Sequence, residues 1–185
     1  MSLPQDLSLG EDNMLNFRFA PELKKLRSDD SFHWNASSAG KAPPPGTSLP
    51  GIRSRFLEVN VTFMAADKRS VQQLVTTDDS GLTLTDAGGT VYVGFDAAAR
   101  ELYVERTFLA AVATPKRISV PHELAPGESL QLHLLLDACV LEVIANGRSQ
   151  TQAQVLPSEQ AGFGVALVGS HATSVDAWLL HGGGD

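Results

Sequence analysis

At 185 residues, with 43% hydrophobic and 19% charged residues, the chain is sized for one globular domain with a real core rather than a disordered or fibrous segment. A formal net charge of −7 with scattered basic residues argues against a nucleic-acid partner, which needs clustered Lys and Arg to neutralise phosphates. The single Cys139 excludes an internal disulfide and a thiolate zinc cluster, and no apolar run approaches the roughly 20 residues that a bilayer crossing takes.

The opening "MSLPQDLSLGED" carries neither a basic leader nor an apolar stretch, so no secretory signal or location is read from it. "APELKKLR", residues 20–27, is the one segment with helical character: Pro at the first turn, Glu22 early and Lys and Arg late suit the helix dipole. Residues 28–51, rich in Ser, Pro and Gly with a triple proline, read as one long loop. From residue 52 onward the period is two. "RFLEVNVTFMA" places Leu57, Val59, Val61 and Phe63 on one face and Phe56, Glu58, Asn60 and Thr62 on the other. "VQQLVTT", "GLTLTD", "TVYVGFD" and "ELYVERTF" read as further short strands. "SLQLHLLL" turns Leu130, Leu132, Leu134 and Leu136 inward, and "GFGVALVGS" and "SVDAWLLH" end the series.

Short strands with turn signals every 8 to 12 residues predict an all-β fold, a two-layer antiparallel β-sandwich of the jelly-roll or concanavalin-like kind, formed as one domain over residues 1–185. Asn146-Gly147 suits a type I′ hairpin turn, whose two central residues need positive φ. Gly162 and Gly164 around Phe163 suggest close backbone approach; with no helix following, they do not read as a phosphate cradle.

Chemistry is sparse. Asp137 and Glu142 flank the hairpin "DACVLEV" and raise the question of a glycosidase carboxylate pair. Alternation puts Glu142 opposite Leu141 and Val143, so the favoured reading is a solvated strand face, with Asp137 capping turn amides. Glu101 and Glu105 share a strand face, and Glu105 with Arg106 reads as surface charge patterning. His33, His122, His133, His171 and His181 fit no metal spacing, and no nucleophile elbow, Walker loop or dinucleotide fingerprint occurs, so no cofactor is implied. His33 and Trp34 in "FHWNAS" offer a sugar-stacking surface; the favoured alternative anchors Trp34 over the sandwich edge. The sequons at Asn35 and Asn60 read as chance, the second lying inside a strand.

The hairpin "LHLLLDACVLEVIANG" resembles the "D-x-S-x-x-E-V-F-x-N" hairpin in the C-terminal β-sandwich module of the invertase, levanase and β-fructofuranosidase family of glycoside hydrolases, glycoside hydrolase family 32. Asp137, Glu142, Val143 and Asn146 match, with Cys139 at the serine and Ile144 at the phenylalanine. "LPQDLSL" and "NMLNFRFAPELKKLR" are similar to the family's boundary segment, with Gln5 for its usual arginine. "LYVERT" is similar to its "l-x-V-D-R-S" strand, Glu105 and Arg106 falling on the Asp-Arg pair. "TQAQVLP" takes the place of the strand after the hairpin. The resemblance implies that these are structural positions. In the family, hydrolysis belongs to a preceding propeller carrying "W-M-N-D-P-N-G", "R-D-P" and "E-C" motifs, and none of these occurs in the 185 residues. The resemblance therefore implies a non-catalytic module whose partners are a propeller or a second copy, through an apolar docking face. A stand-alone carbohydrate-binding domain for sucrose- or fructan-type sugars is the alternative, and residual hydrolysis a remoter third.

Overall fold

The computed structural model describes residues 3–10, 13–37, 42–64, 80–108, 117–155, 162–169 and 172–181. An N-terminal hairpin pairs β1 (Gln5–Leu9) with β2 (Leu15–Phe19). A 3-10 turn, Pro21–Leu26, leads into β3 (Arg27–Asn35), β4 (Ser48–Ser54) and β5 (Phe56–Phe63). Then come β6 (Gly81–Asp86), β7 (Gly89–Asp96), β8 (Glu101–Phe108) and β9 (Arg117–Pro121). The chain finishes with β10 (Leu130–Asp137), β11 (Val140–Ala145), β12 (Ser149–Gln154), β13 (Phe163–Val168) and β14 (Ala172–Leu180).

The strands form two six-stranded antiparallel sheets, ordered β12-β11-β10-β5-β14-β3 and β4-β13-β6-β7-β8-β9. Alternation decides what lies between them. Leu57, Val59, Val61 and Phe63 of β5 are fully buried and meet Leu82, Leu84, Val91 and Val104 of the opposite sheet in one continuous core. Leu130, Leu132, Leu134 and Leu136 of β10 point the same way. The sandwich predicted from periodicity is the fold observed.

Turn chemistry sets the register. Asn146 and Gly147 both sit at positive φ (48° and 68°), and Arg148 donates its N–H to the Ala145 carbonyl, closing the I′-type turn the sequence announces. Gly162, at φ +73°, lies against the Ser54 and Arg55 backbone, where a Cβ would collide. Gly164 meets only ordinary contacts with the Arg53 and Ser48 side chains. The close approach inferred for this pair thus belongs to Gly162.

Two expectations change. Residues 28–51 are not one loop, because Arg27–Asn35 pairs with β14 and Ser48–Ser54 pairs with β13. The serines and the Pro–Gly pairs masked strand propensity in edge positions, where a missing donor or a polar face is tolerated. The helical segment is a single 3-10 turn, consistent with a stretch too short to hold an α-helix. The predicted strand "VQQLVTT" lies outside the described residues, as does His171.

The first sheet is covered on its inner face and over part of its outer face. Phe19, Leu135 and Ile144 are buried on its outer side, with Leu3, Phe17, Leu23 and Leu180 packed around them. The N-terminal hairpin and 3-10 turn form this cover. Burial of each of those larger side chains contributes roughly 1.5–3 kcal/mol, enough to hold a short segment down.

Candidate functional site

The outer face of the first sheet carries the molecule's unusual chemistry. Glu58 on β5 and Glu142 on β11 both face Leu135 of β10 in register, so two carboxylates stand on one sheet face with a single strand between them. Both are buried, at 3% and 0% exposure. The solvated role expected for Glu142 is therefore overturned. The N-terminal segment that covers it has no periodic signal strong enough to announce its destination.

Each carboxylate is committed. Glu142 Oε1 accepts the Leu3 N–H at 2.6 Å and Oε2 accepts Gln5 Nε2 at 2.7 Å, which ties the hairpin to the sheet. Glu58 accepts a forked pair from Arg27, Nε to Oε2 and Nη2 to Oε1, both at 2.7 Å. His133 Nε2 donates to Oε1 at 2.7 Å. Burial pushes the Glu58 carboxyl upward, but hydrogen bonds and charge from Arg27 and His133 outweigh it and hold the pKa at about 2. The guanidinium of Arg27 lies over Trp178, 3.5 Å from the ring centroid, and His133 stands edge-on to Phe19.

Asp137 is exposed at the end of β10, and among the described residues it caps no turn amide. Its neighbours Ala138, at φ +52°, and half-buried Cys139 form the turn. Asn146 bonds three ways: Oδ1 accepts the Gln131 N–H, while Nδ2 donates to Glu128 Oε1 and the Ser129 carbonyl. Gly147 next to it accepts the Phe17 N–H at 2.7 Å, a second clasp on the hairpin. Glu105 is half-buried on β8. Arg106 is not surface charge: it is 5% exposed and its Nη1 donates to the Gln154 carbonyl, joining the two sheets. Register explains this, since Arg106 pairs with core-facing Val91.

His33 and Trp34 part company. His33 is exposed on the outer face, bonded to Asp176 at 2.8 Å and edge-on to Trp178, whereas half-buried Trp34 packs against the inner core. Strand alternation separates adjacent side chains, so the two rings do not build a joint platform. His122 is buried beside Ser149, where burial lowers its pKa, and His181 closes β14 by donating its N–H to the Leu26 carbonyl. Among the described residues, no group of three or more His, Cys, Asp or Glu could hold a metal ion, and no helix is long and apolar enough to cross a membrane.

Between the hairpin and the sheet runs a groove of about 420 Å³. Its floor is the row Asn60, His133 and Ile144, cross-strand neighbours on β5, β10 and β11, with Gln131 and Asn146 one row along. Ser8, Asn16, Phe17 and Arg18 of the hairpin make its wall. Sequence reading missed this groove because its hairpin wall and the β10 and β11 residues of its floor lie more than 100 residues apart. The one available signal was the broken alternation at Leu134-Leu135-Leu136 and Val143-Ile144, the mark of a sheet buried on both faces.

The sequence profile of the family described as glycosyl hydrolases family 32 C terminal matches residues 22–178. No curated protein sequence matches the chain. Among solved structures, the fold is similar to a fructofuranosidase from Schwanniomyces occidentalis complexed with fructose, at a TM-score of 0.72 and 13% identity over 97% of this chain and 40% of that one. It is similar also to an exo-inulinase from Aspergillus awamori, at 0.69 and 15% identity over 98% and 36%. A third likeness is to an Aspergillus kawachii β-fructofuranosidase complexed with glycerol, at 0.64 and 20% identity over 89% and 30%. The chain thus spans 30–40% of the length of these enzymes.

Proposed function

The chain belongs to the C-terminal domain family of the family 32 glycosyl hydrolases, and from that premise we propose that it is the non-catalytic β-sandwich module of a fructofuranosidase-like hydrolase, supporting a catalytic domain rather than cleaving sugar. The observation that carries this reading is the commitment of Glu58 and Glu142. A glycosidase needs one carboxyl that is protonated near working pH and another free to attack or to activate water. Glu58 is held ionised with a pKa of about 2, and Glu142 has both oxygens bonded to the N-terminal segment. Leu135 fills the space between them.

The hairpin also supports a partner. Leu7, Leu9, Met14 and Leu15 are 45–69% exposed, and Leu9 lies directly opposite Leu15. Clustered exposed leucines at one tip suit burial against another domain or a second copy.

Incubating the purified chain with sucrose and with inulin, and assaying released hexose, tests the catalytic half. No release is expected, while Glu142→Gln and Glu58→Gln each lower the melting temperature. Hexose release that vanishes in either variant at unchanged stability would overturn the reading. Carbohydrate binding without catalysis is a second role, favoured by the polar groove.

A further inference from the structure

We infer that the groove between the N-terminal hairpin and the outer sheet face is a binding site for a short neutral oligosaccharide. Its volume of about 420 Å³ falls in the range of roughly 300–1,000 Å³ typical of small-ligand sites. The chemistry of its lining selects the ligand class. Among the described residues, the side chains of Ser8, Asn16, Arg18, Asn60 and Gln131 have no hydrogen-bond partner, although four separate strands bring them to one space. Three amides, each donor and acceptor at once, match vicinal hydroxyls, which also donate and accept. Half-buried Phe17 offers apolar surface for the C–H face of a sugar ring. A single arginine without clustered cations is poor provision for a phosphate or an acidic chain.

The site is also preorganised, which reduces the ordering cost of binding. The Glu58 bond and the edge of Phe19 hold His133. Asn146 is pinned by its contacts to Glu128, Ser129 and Gln131. The wall is fastened at Glu142 and at the Gly147 carbonyl. The inference draws on the proposed function only for the choice of sugars to try first.

The test is titration of the whole chain with inulin and levan oligosaccharides, with maltotriose and inorganic phosphate as comparison arms, followed by calorimetry and by NMR of backbone amides. Binding is expected to perturb the amides around Asn60, Gln131 and His133, and Asn60→Ala or Gln131→Ala should weaken it about tenfold, one lost hydrogen bond each. Both positions are exposed, so the variants should keep the parent melting temperature. Maltotriose binding at the same amides also supports the site and broadens its sugar range. Absence of heat and shifts with every sugar at millimolar concentration overturns the inference, as does binding confined to phosphate or to amides around His33 and Trp178. Failure here leaves the supporting role standing, whereas hexose release would remove the non-catalytic reading without touching the groove.

Discussion

Arg27 and Glu58 show how one contact governs local stability. Glu58 sits on the face of β5 that alternation turns away from the inner core, yet it is 3% exposed and takes the fork from Arg27, 31 residues earlier in the chain. Removing one partner of such a pair strands a buried charge, at a cost of about 3–5 kcal/mol. Arg27→Ala is therefore expected to lower the urea midpoint more than Glu58→Gln, which removes the charge that needs pairing. The pH dependence has a definite sign. The folded pKa of about 2 lies below the ordinary 4.5, so the contribution is complete above pH 4.5 and disappears as pH falls toward 2. By linkage it is on the order of 3 kcal/mol. An acid-unfolding curve that Glu58→Gln leaves unchanged would contradict this assignment.

Elements were legible wherever two faces differed in polarity. β5, β10 and β14 read correctly because the inner face alternates strictly, and the Asn146-Gly147 turn read correctly because few residues tolerate its φ values. β3 and β4 were hidden by serine, proline and glycine in edge strands, where neighbours on one side only relax the compositional rule. β1 and β2 were hidden by exposure, since a hairpin lying on a sheet alternates weakly. The two glycines around Phe163 make a sharp comparison. Gly162→Ala places a Cβ against backbone at positive φ and should cost several kcal/mol or prevent folding, whereas Gly164→Ala, meeting only flexible side chains, should cost far less. Equal melting temperatures for the two variants would refute the backbone packing at β4 and β13.

At the scale of the whole molecule, the N-terminal segment does two things at once. It seals the second apolar cluster of Phe19, Leu135 and Ile144, and it leaves its own leucines in water. An apolar tip on an otherwise acidic chain of net charge −7 is the surface that the proposed docking would use. Light scattering should show concentration-dependent self-association of the isolated chain, and Leu9→Lys should reduce it without lowering stability, since Leu9 is 69% exposed. A strictly monomeric particle at every concentration would remove the case for docking through this tip.

Periodicity and turn chemistry by themselves determined the all-β sandwich, the inward faces of β5 and β10, and the hairpin ending in Asn146-Gly147. They do so because strand side chains alternate with a period of two and φ is a local variable. Local motifs carried the family resemblance in the same way. Only the tertiary structure decided that Glu142 and Arg106 are buried, that His33 and Trp34 face opposite ways around the sheet, and that a polar groove exists. Burial and convergence depend on which distant segment covers a face: Leu3 reaches Glu142 across 139 positions, and nothing within either neighbourhood encodes that meeting.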